Sequence, residues 1–135
     1  MRRREERIAG LKRALGLDRG EGGFATVSGI LTTRPEMIRE ADRRLDRVKM
    51  ITTKSYQVEP NPGNREPILI EGGVGSFGNA VVLKNPGMRI GLEELRALRR
   101  SHSMRALLNV SISGSSPEEF EVLAEAFSEV ADSIE

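Results

Sequence analysis

The sequence predicts an α/β protein built on a parallel sheet. Three observations predict it. Short apolar runs alternate with amphipathic helical stretches along most of the chain. Two of those helical stretches open on a Ser/Thr followed closely by Pro and Glu, the signature of a helix start. The length is 135 residues, enough for one domain but well short of the ~250 residues of a closed α/β barrel. An open α/β sheet or part of a barrel therefore fits the pattern.

Residues 2–15 mix basic residues with Ile8, Leu11, Ala14 and Leu15 at helical spacing. This is a terminal helix, read either as a solvated arm or as a basic surface for an anionic partner. Asp18 to Gly23 is turn-rich. Phe24 to Ser28 reads as a short buried strand ending at Gly29. Thr33-Arg34-Pro35-Glu36 reads as a capping box, and Met37, Ile38, Ala41 and Leu45 form the stripe of a helix over 34–45. Val48 to Thr52 is a second strand, which completes a strand-helix-strand unit.

Val58 to Pro67 holds Pro60, Pro62 and Pro67. These exclude a regular helix or a central strand, so the segment is a long loop. Ile68-Leu69-Ile70 is a brief apolar run, and Gly72 to Gly78 reads as a mobile glycine-rich connection. Leu92, Leu95, Ala97 and Leu98 mark a helix over 91–101, with arginines at its end where they suit the helix dipole. Residues 105–111 read as a third central strand. Ser116-Pro117-Glu118-Glu119 is a second capping box, opening a helix whose core face is Phe120, Leu123, Ala124 and Phe127. Asp132 to Glu135 looks like the approach to a further strand. No internal repeat stands out.

Composition narrows the function classes. Lys and Arg total 21 against 20 Asp and Glu, a net charge of +1, which gives no electrostatic case for nucleic acid. Aromatics are 4% with no Trp, too few for a base-stacking surface. Cysteine is absent, which excludes disulfides, thiolate metal sites and cysteine catalysis within these residues, and accords with a reducing cytoplasm. No apolar run approaches the ~20 residues of a membrane span, and no secretory signal is expected. No His or carboxylate cluster has metal-ligand spacing. His102, the sole histidine, sits at a helix end and reads as solvent-facing or dipole-pairing.

Gly73-Val74-Gly75-Ser76-Phe77-Gly78 matches the dinucleotide fingerprint letter for letter. The chemistry requires a helix N-terminus behind those glycines, and Asn85-Pro86-Gly87 would break any such helix after about two turns. A nicotinamide-nucleotide site there is the weaker reading, and no P-loop lysine follows.

Val27-Ser28-Gly29, Thr53-Lys54-Ser55, Glu59-Pro60-Asn61-Pro62-Gly63-Asn64, Asn79-Ala80-Val81-Val82-Leu83-Lys84-Asn85-Pro86-Gly87 and Leu108-Asn109-Val110-Ser111 fall in one order and spacing. From Phe24 to Glu135 that order resembles the dihydroorotate dehydrogenase family. The resemblance implies about half of a TIM-type (β/α) barrel over 24–135, preceded by a basic arm over 1–23. It implies FMN as cofactor, with Ser28, Lys54, Ser55 and Asn109 contacting it. It implies a small pyrimidine substrate touched by Lys54, Asn79, Ala80, Val81, Val82 and Leu83. A fixed ammonium such as Lys54 suits the negative charge that gathers on a reduced flavin. Asn79 offers a donor and an acceptor to an imide edge. Without the resemblance, Lys54 reads as a snorkelling surface lysine, Asn79 as a turn residue, and Asn109 as a strand Asn bonded within the protein.

The chain departs from the family at several points. Val82 stands where the family has Gly, and Ile68 where an Arg is common. The family's base-bearing Leu-Asn-x-Ser-Cys-Pro-Asn loop would begin just after Glu135, so no catalytic residue is assigned here. The implied function is oxidation of dihydroorotate to orotate in pyrimidine biosynthesis by a cytoplasmic flavoenzyme, with little turnover from these residues alone. The alternatives are dihydropyrimidine dehydrogenase-type chemistry, or a non-catalytic half-barrel. The latter would assemble as a homo-oligomer or with a partner supplying the missing half.

Overall fold

Helix α1 spans Arg2–Ala14, β1 Phe24–Ala25, α2 Pro35–Arg44, β2 Val48–Thr52, β3 Leu69–Gly73, β4 Ser76–Asn79, α3 Met88–Ser101, β5 Leu107–Val110, α4 Pro117–Phe127 and β6 Ser133–Ile134. The computed structural model describes residues 2–20 and 22–135. Met1 and Glu21, which the sequence reading assigns to the arm and to the turn after it, lie outside the described residues.

Four strands form one parallel sheet in the order β1-β2-β5-β6, and β3 and β4 form a separate antiparallel pair. Each neighbour in the parallel sheet is reached through a crossover: α2 between β1 and β2, the hairpin and α3 between β2 and β5, and α4 between β5 and β6. This is the winding of a partial TIM-type fold; the sheet is open, with no closed barrel among the described residues.

Register sets which side chains meet. Ile51 stands opposite Leu108, and Thr52 opposite Asn109, which in turn stands opposite Ser133. Because strand side chains alternate, Ile51, Leu108 and Val110 share one face. They pack against Ile38 and Ala41 of α2, Leu95 and Leu98 of α3, and Leu123 and Phe127 of α4. Tyr56 stacks on Phe127 with ring centroids 4.9 Å apart. Gly91 admits that ring, since a Cβ there would lie 2.3 Å from a Tyr56 ring carbon. The opposite sheet face carries the polar row Thr52, Asn109 and Ser133.

Several expectations need correction. Phe24 to Ser28 is not a buried strand: the strand is Phe24–Ala25, followed by one further bond from the Thr26 amide to the Met50 carbonyl, and Phe24 is 60% exposed. It lies at the open edge of the sheet, with Arg47 over its ring. The first capping box does not form. Arg34 is the N-cap without a side-chain hydrogen bond, and Thr33 donates to Met37 Sδ instead. The second forms in part: Ser116 Oγ accepts from the Glu119 amide with Pro117 in the first turn, while the Glu119 carboxylate accepts from the Ser115 amide rather than from that of Ser116. The glycine-rich connection is the hairpin β3-β4, turning at Val74-Gly75. Asp132 to Glu135 includes the strand β6 itself rather than only its approach.

Candidate functional site

Parallel strands deliver their C-terminal ends to one edge of a sheet, and the residues singled out by sequence emerge there. Ser28 follows β1, Lys54 and Ser55 follow β2, and Ser111 follows β5. The Ser28 and Ser55 hydroxyls are 3.2 Å apart, and those of Ser55 and Ser111 are 2.8 Å apart. This hydroxyl chain runs from an exposed residue to a buried one. The β2-β5 pairing continues into it: the Thr53 amide donates to the Asn109 carbonyl, and the Ser111 amide to Thr53 Oγ1.

Asn109 is 5% exposed and hydrogen-bonded through both side-chain polar atoms. Its Nδ2 donates to Thr52 Oγ1 (3.2 Å) and Glu135 Oε2 (2.9 Å), and its Oδ1 accepts from Ser133 Oγ (2.6 Å). Both of its N–H groups are thus taken within the chain.

Lys54 lines a cleft of about 650 Å³ together with Arg34, Asn61, Val81, Lys84 and Glu94. Three cations face one carboxyl, an electropositive mouth suited to an anionic ligand. Burial pushes the Glu94 carboxyl above its ordinary value, and the charge of Glu36 adds to the effect. A second cleft, of about 540 Å³, lies beside Arg96 and Arg99. Their guanidiniums are already paired with Glu129 and Asp132.

Of the segment 79–83, only Val81 reaches the wall of the Lys54 cleft. Asn79 ends β4, pairs with Leu69 and is exposed, outside that lining. Ala80 continues the hairpin ladder by donating its amide to the Ile68 carbonyl. Val82 and Leu83 are exposed and adopt left-handed backbone, with φ of 54° and 51°.

Four residues outside the expected site set shape this edge: Gln57, Asn61, Asn85 and Glu94. A signal for two of them was present, because Asn-Pro-Gly occurs twice, at Asn61-Pro62-Gly63 and Asn85-Pro86-Gly87. In each, the Asn Oδ1 accepts from the Gly amide two residues on, at 2.8 and 2.9 Å, the turn that Asn side chains favour. Gln57 and Glu94 carry no such mark. The dinucleotide reading fails on geometry, since Gly73 to Gly78 forms strands and a hairpin turn and opens no helix.

A family model described as dihydroorotate dehydrogenase matches residues 21–135. The chain belongs to the dihydroorotate dehydrogenase family. It is 39% identical over 108 residues to the dihydroorotate dehydrogenase B (NAD(+)) catalytic subunit of Pyrococcus abyssi, a match covering 80% of this chain and 34% of that protein. Against the Pyrococcus furiosus protein of the same name it is 35% identical over 115 residues, 85% of this chain and 36% of that one. Against that of Methanothermobacter thermautotrophicus it is 40% identical over 85 residues, 63% and 26% respectively. The chain spans about a third of the length of the first two of these relatives. Within this dihydroorotate dehydrogenase family member, the Val82 backbone keeps the conformation that glycine favours.

Proposed function

We propose that this chain carries the flavin- and substrate-facing edge of an enzyme that oxidises (S)-dihydroorotate to orotate in pyrimidine biosynthesis. The observation that carries the reading is Lys54. In a chain of this family, it stands at the C-terminal end of β2 and lines an electropositive cleft walled by the Val81 turn. In the overall reaction one ring carbon loses a hydride, its neighbour loses a proton, and the bond between them becomes double. FMN, when bound, accepts the hydride.

The residues present fit such a cofactor in part. The Ser28-Ser55-Ser111 hydroxyls offer donors and acceptors at the strand ends, and the Lys54 ammonium offers a charge for the reduced ring. Asn109 would join them only by releasing Glu135 or by using the free lone pair of its carbonyl. Asn79, Ala80, Val82 and Leu83 would meet a substrate from the loop beyond the cleft wall, with Val81 nearest. The reading extends to a partner subunit, because the relatives are named as catalytic subunits. A cytoplasmic setting accords with a chain that has no cysteine.

Titration of the protein with FMN, followed by flavin fluorescence, tests the reading. Saturable quenching is expected, and Lys54→Met should weaken it by roughly ten- to a hundredfold, the loss of a hydrogen bond from a charged group. Flavin fluorescence indifferent to the protein would overturn the proposal. Dihydroorotate-dependent dye reduction is the companion assay. Little turnover is expected from these residues alone, because the sequence contains no Leu-Asn-x-Ser-Cys-Pro-Asn loop to supply the base.

A further inference from the structure

The two Asn-Pro-Gly turns are joined to each other. The Asn61 amide donates to the Asn85 carbonyl and the Asn85 amide to the Asn61 carbonyl, both at 3.0 Å. Their side chains converge on a single atom: Asn61 Nδ2 (3.1 Å) and Asn85 Nδ2 (3.0 Å) both donate to Gln57 Oε1. The Gln57 backbone amide in turn donates to Asn85 Oδ1 (3.2 Å). Each carboxamide then reaches one of the two left-handed residues. Asn61 Nδ2 donates to the Val82 carbonyl (3.1 Å), and Asn85 Nδ2 to the Leu83 carbonyl (2.8 Å). The glycines let the turns close, since a Cβ on Gly63 would lie 2.7 Å from the Val81 carbonyl oxygen and one on Gly87 2.8 Å from the Pro60 nitrogen.

A β-branched residue in left-handed backbone is strained, and such a conformation persists only where its surroundings over-determine it. Here the determinants are two carbonyl clamps, and one glutamine oxygen aligns both donors. The clamped turn lies between Val81 and Lys84, both of which line the cleft with Lys54.

We propose that Gln57 is a positioning residue. Through Asn61 and Asn85 it holds the Val82-Leu83 turn, and so sets the cleft wall that a flat cyclic imide would meet. The substrate clause rests on the dehydrogenase reading; the positioning clause does not.

Hydrogen exchange and ligand titration on the full chain test the two clauses separately. Gln57→Ala should speed exchange of the Asn61 and Asn85 backbone amides about tenfold or more while leaving the Ile51 amide unchanged. Gln57→Glu, which keeps an acceptor oxygen, should restore near-normal rates. Val82→Gly should shrink the effect of Gln57→Ala on the unfolding equilibrium to less than about a third, because glycine adopts the turn unaided. Unchanged exchange in Gln57→Ala, failure of Gln57→Glu to rescue, or strict additivity with Val82→Gly would each overturn the positioning role. If Gln57→Ala does not fold, the side-chain amide protons of Asn61 and Asn85 in the unsubstituted protein decide: protection supports the relay and free exchange overturns it. With FMN present, orotate affinity should fall about tenfold in Gln57→Ala and recover in Gln57→Glu. Unchanged orotate affinity would overturn the substrate clause, whereas a protein that never responds to FMN would count against the dehydrogenase reading itself.

Discussion

At the scale of single residues, two kinds of cost are written into the chain near the site. Val82 holds φ at 54° with a branched side chain, and Thr32, 1% exposed, has a hydroxyl with no hydrogen-bond partner among the described residues. Left-handed backbone costs an L-residue roughly 1–2 kcal/mol, which glycine avoids. Val82→Gly is therefore expected to raise stability by about 1 kcal/mol, read from the midpoint of urea unfolding at unchanged slope. Glycine also loosens the unfolded chain, which offsets part of the gain. An unchanged or lowered midpoint would show that the strain relieved at the turn does not exceed glycine's unfolded-state cost. Glu94 is perturbed in the opposite sense to a stabilising carboxylate. Its folded value is raised by burial and by Glu36, so the folded state binds a proton that the unfolded chain has released. Stability from this group is present below its ordinary 4.5 and is lost as pH rises through the folded value. Glu94→Gln should thus stabilise the protein at neutral pH and hardly at all near pH 3.

At the scale of elements, Asp42 fastens α2 to the start of β5. Its carboxylate accepts from the Arg105 and Ala106 amides and from His102 Nε2 at 2.7 Å, and its backbone carbonyl accepts from the Arg105 guanidinium. His102 caps the C-terminal end of α3, so one side chain joins three elements. The histidine is mostly buried against Asp42, a correction to the solvent-facing reading. Burial works to raise the Asp42 carboxyl, but the hydrogen bonds from Ala106, His102 and Arg105 outweigh it and hold the group below its ordinary 3.8. A depressed carboxyl gives stability that is complete above 3.8 and disappears as pH falls through the folded value. Asp42→Ala strands two backbone donors and should cost about 3 kcal/mol at neutral pH. It should also flatten the acid limb of the stability-pH curve below pH 4. A wild-type acid limb in that variant would refute the assignment. None of this was legible beforehand. The stripe of Met37, Ile38, Ala41 and Leu45 gives the helix, but Asp42 finds its partners some sixty residues on, and periodicity carries no information about that. The second and third strands of the parallel sheet and the three crossover helices were legible, because burial on one face imposes a pattern. The hairpin was not. Both of its strands are exposed along their whole length, so no alternation marks them, and glycine is a poor strand former.

At the scale of the molecule, burial is unevenly spread, and the candidate site lies where it changes. The centre of the parallel sheet is packed on α2, α3 and α4, with Ile51, Leu108 and Val110 fully shielded. The β3-β4 pair has neither face covered, and its large apolar residues Leu69, Ile70 and Phe77 stand in solvent. A two-stranded ribbon gains little from its own hydrogen bonds in water. Its attachment to the rest depends instead on polar clasps beyond its base: Asn64 Nδ2 to the Ala80 carbonyl, and the Gln57-Asn61-Asn85 relay behind it. The hairpin should therefore open without the sheet, taking Asn79 and Ala80 with it, while Lys54 stays anchored to β2. Native-state hydrogen exchange in low urea gives the measure. The amides of Ile51, Leu108 and Val110 should exchange only through global unfolding, and those within β3 and β4 at least about a hundredfold faster with little dependence on urea. Asn64→Ala should speed the hairpin amides further and leave the sheet amides untouched. Equal protection in the two regions would mean that hairpin and sheet unfold as one unit. In that case the loop after β4 and the Lys54 strand end would be a single rigid surface rather than a fixed cation beside a separately opening hairpin.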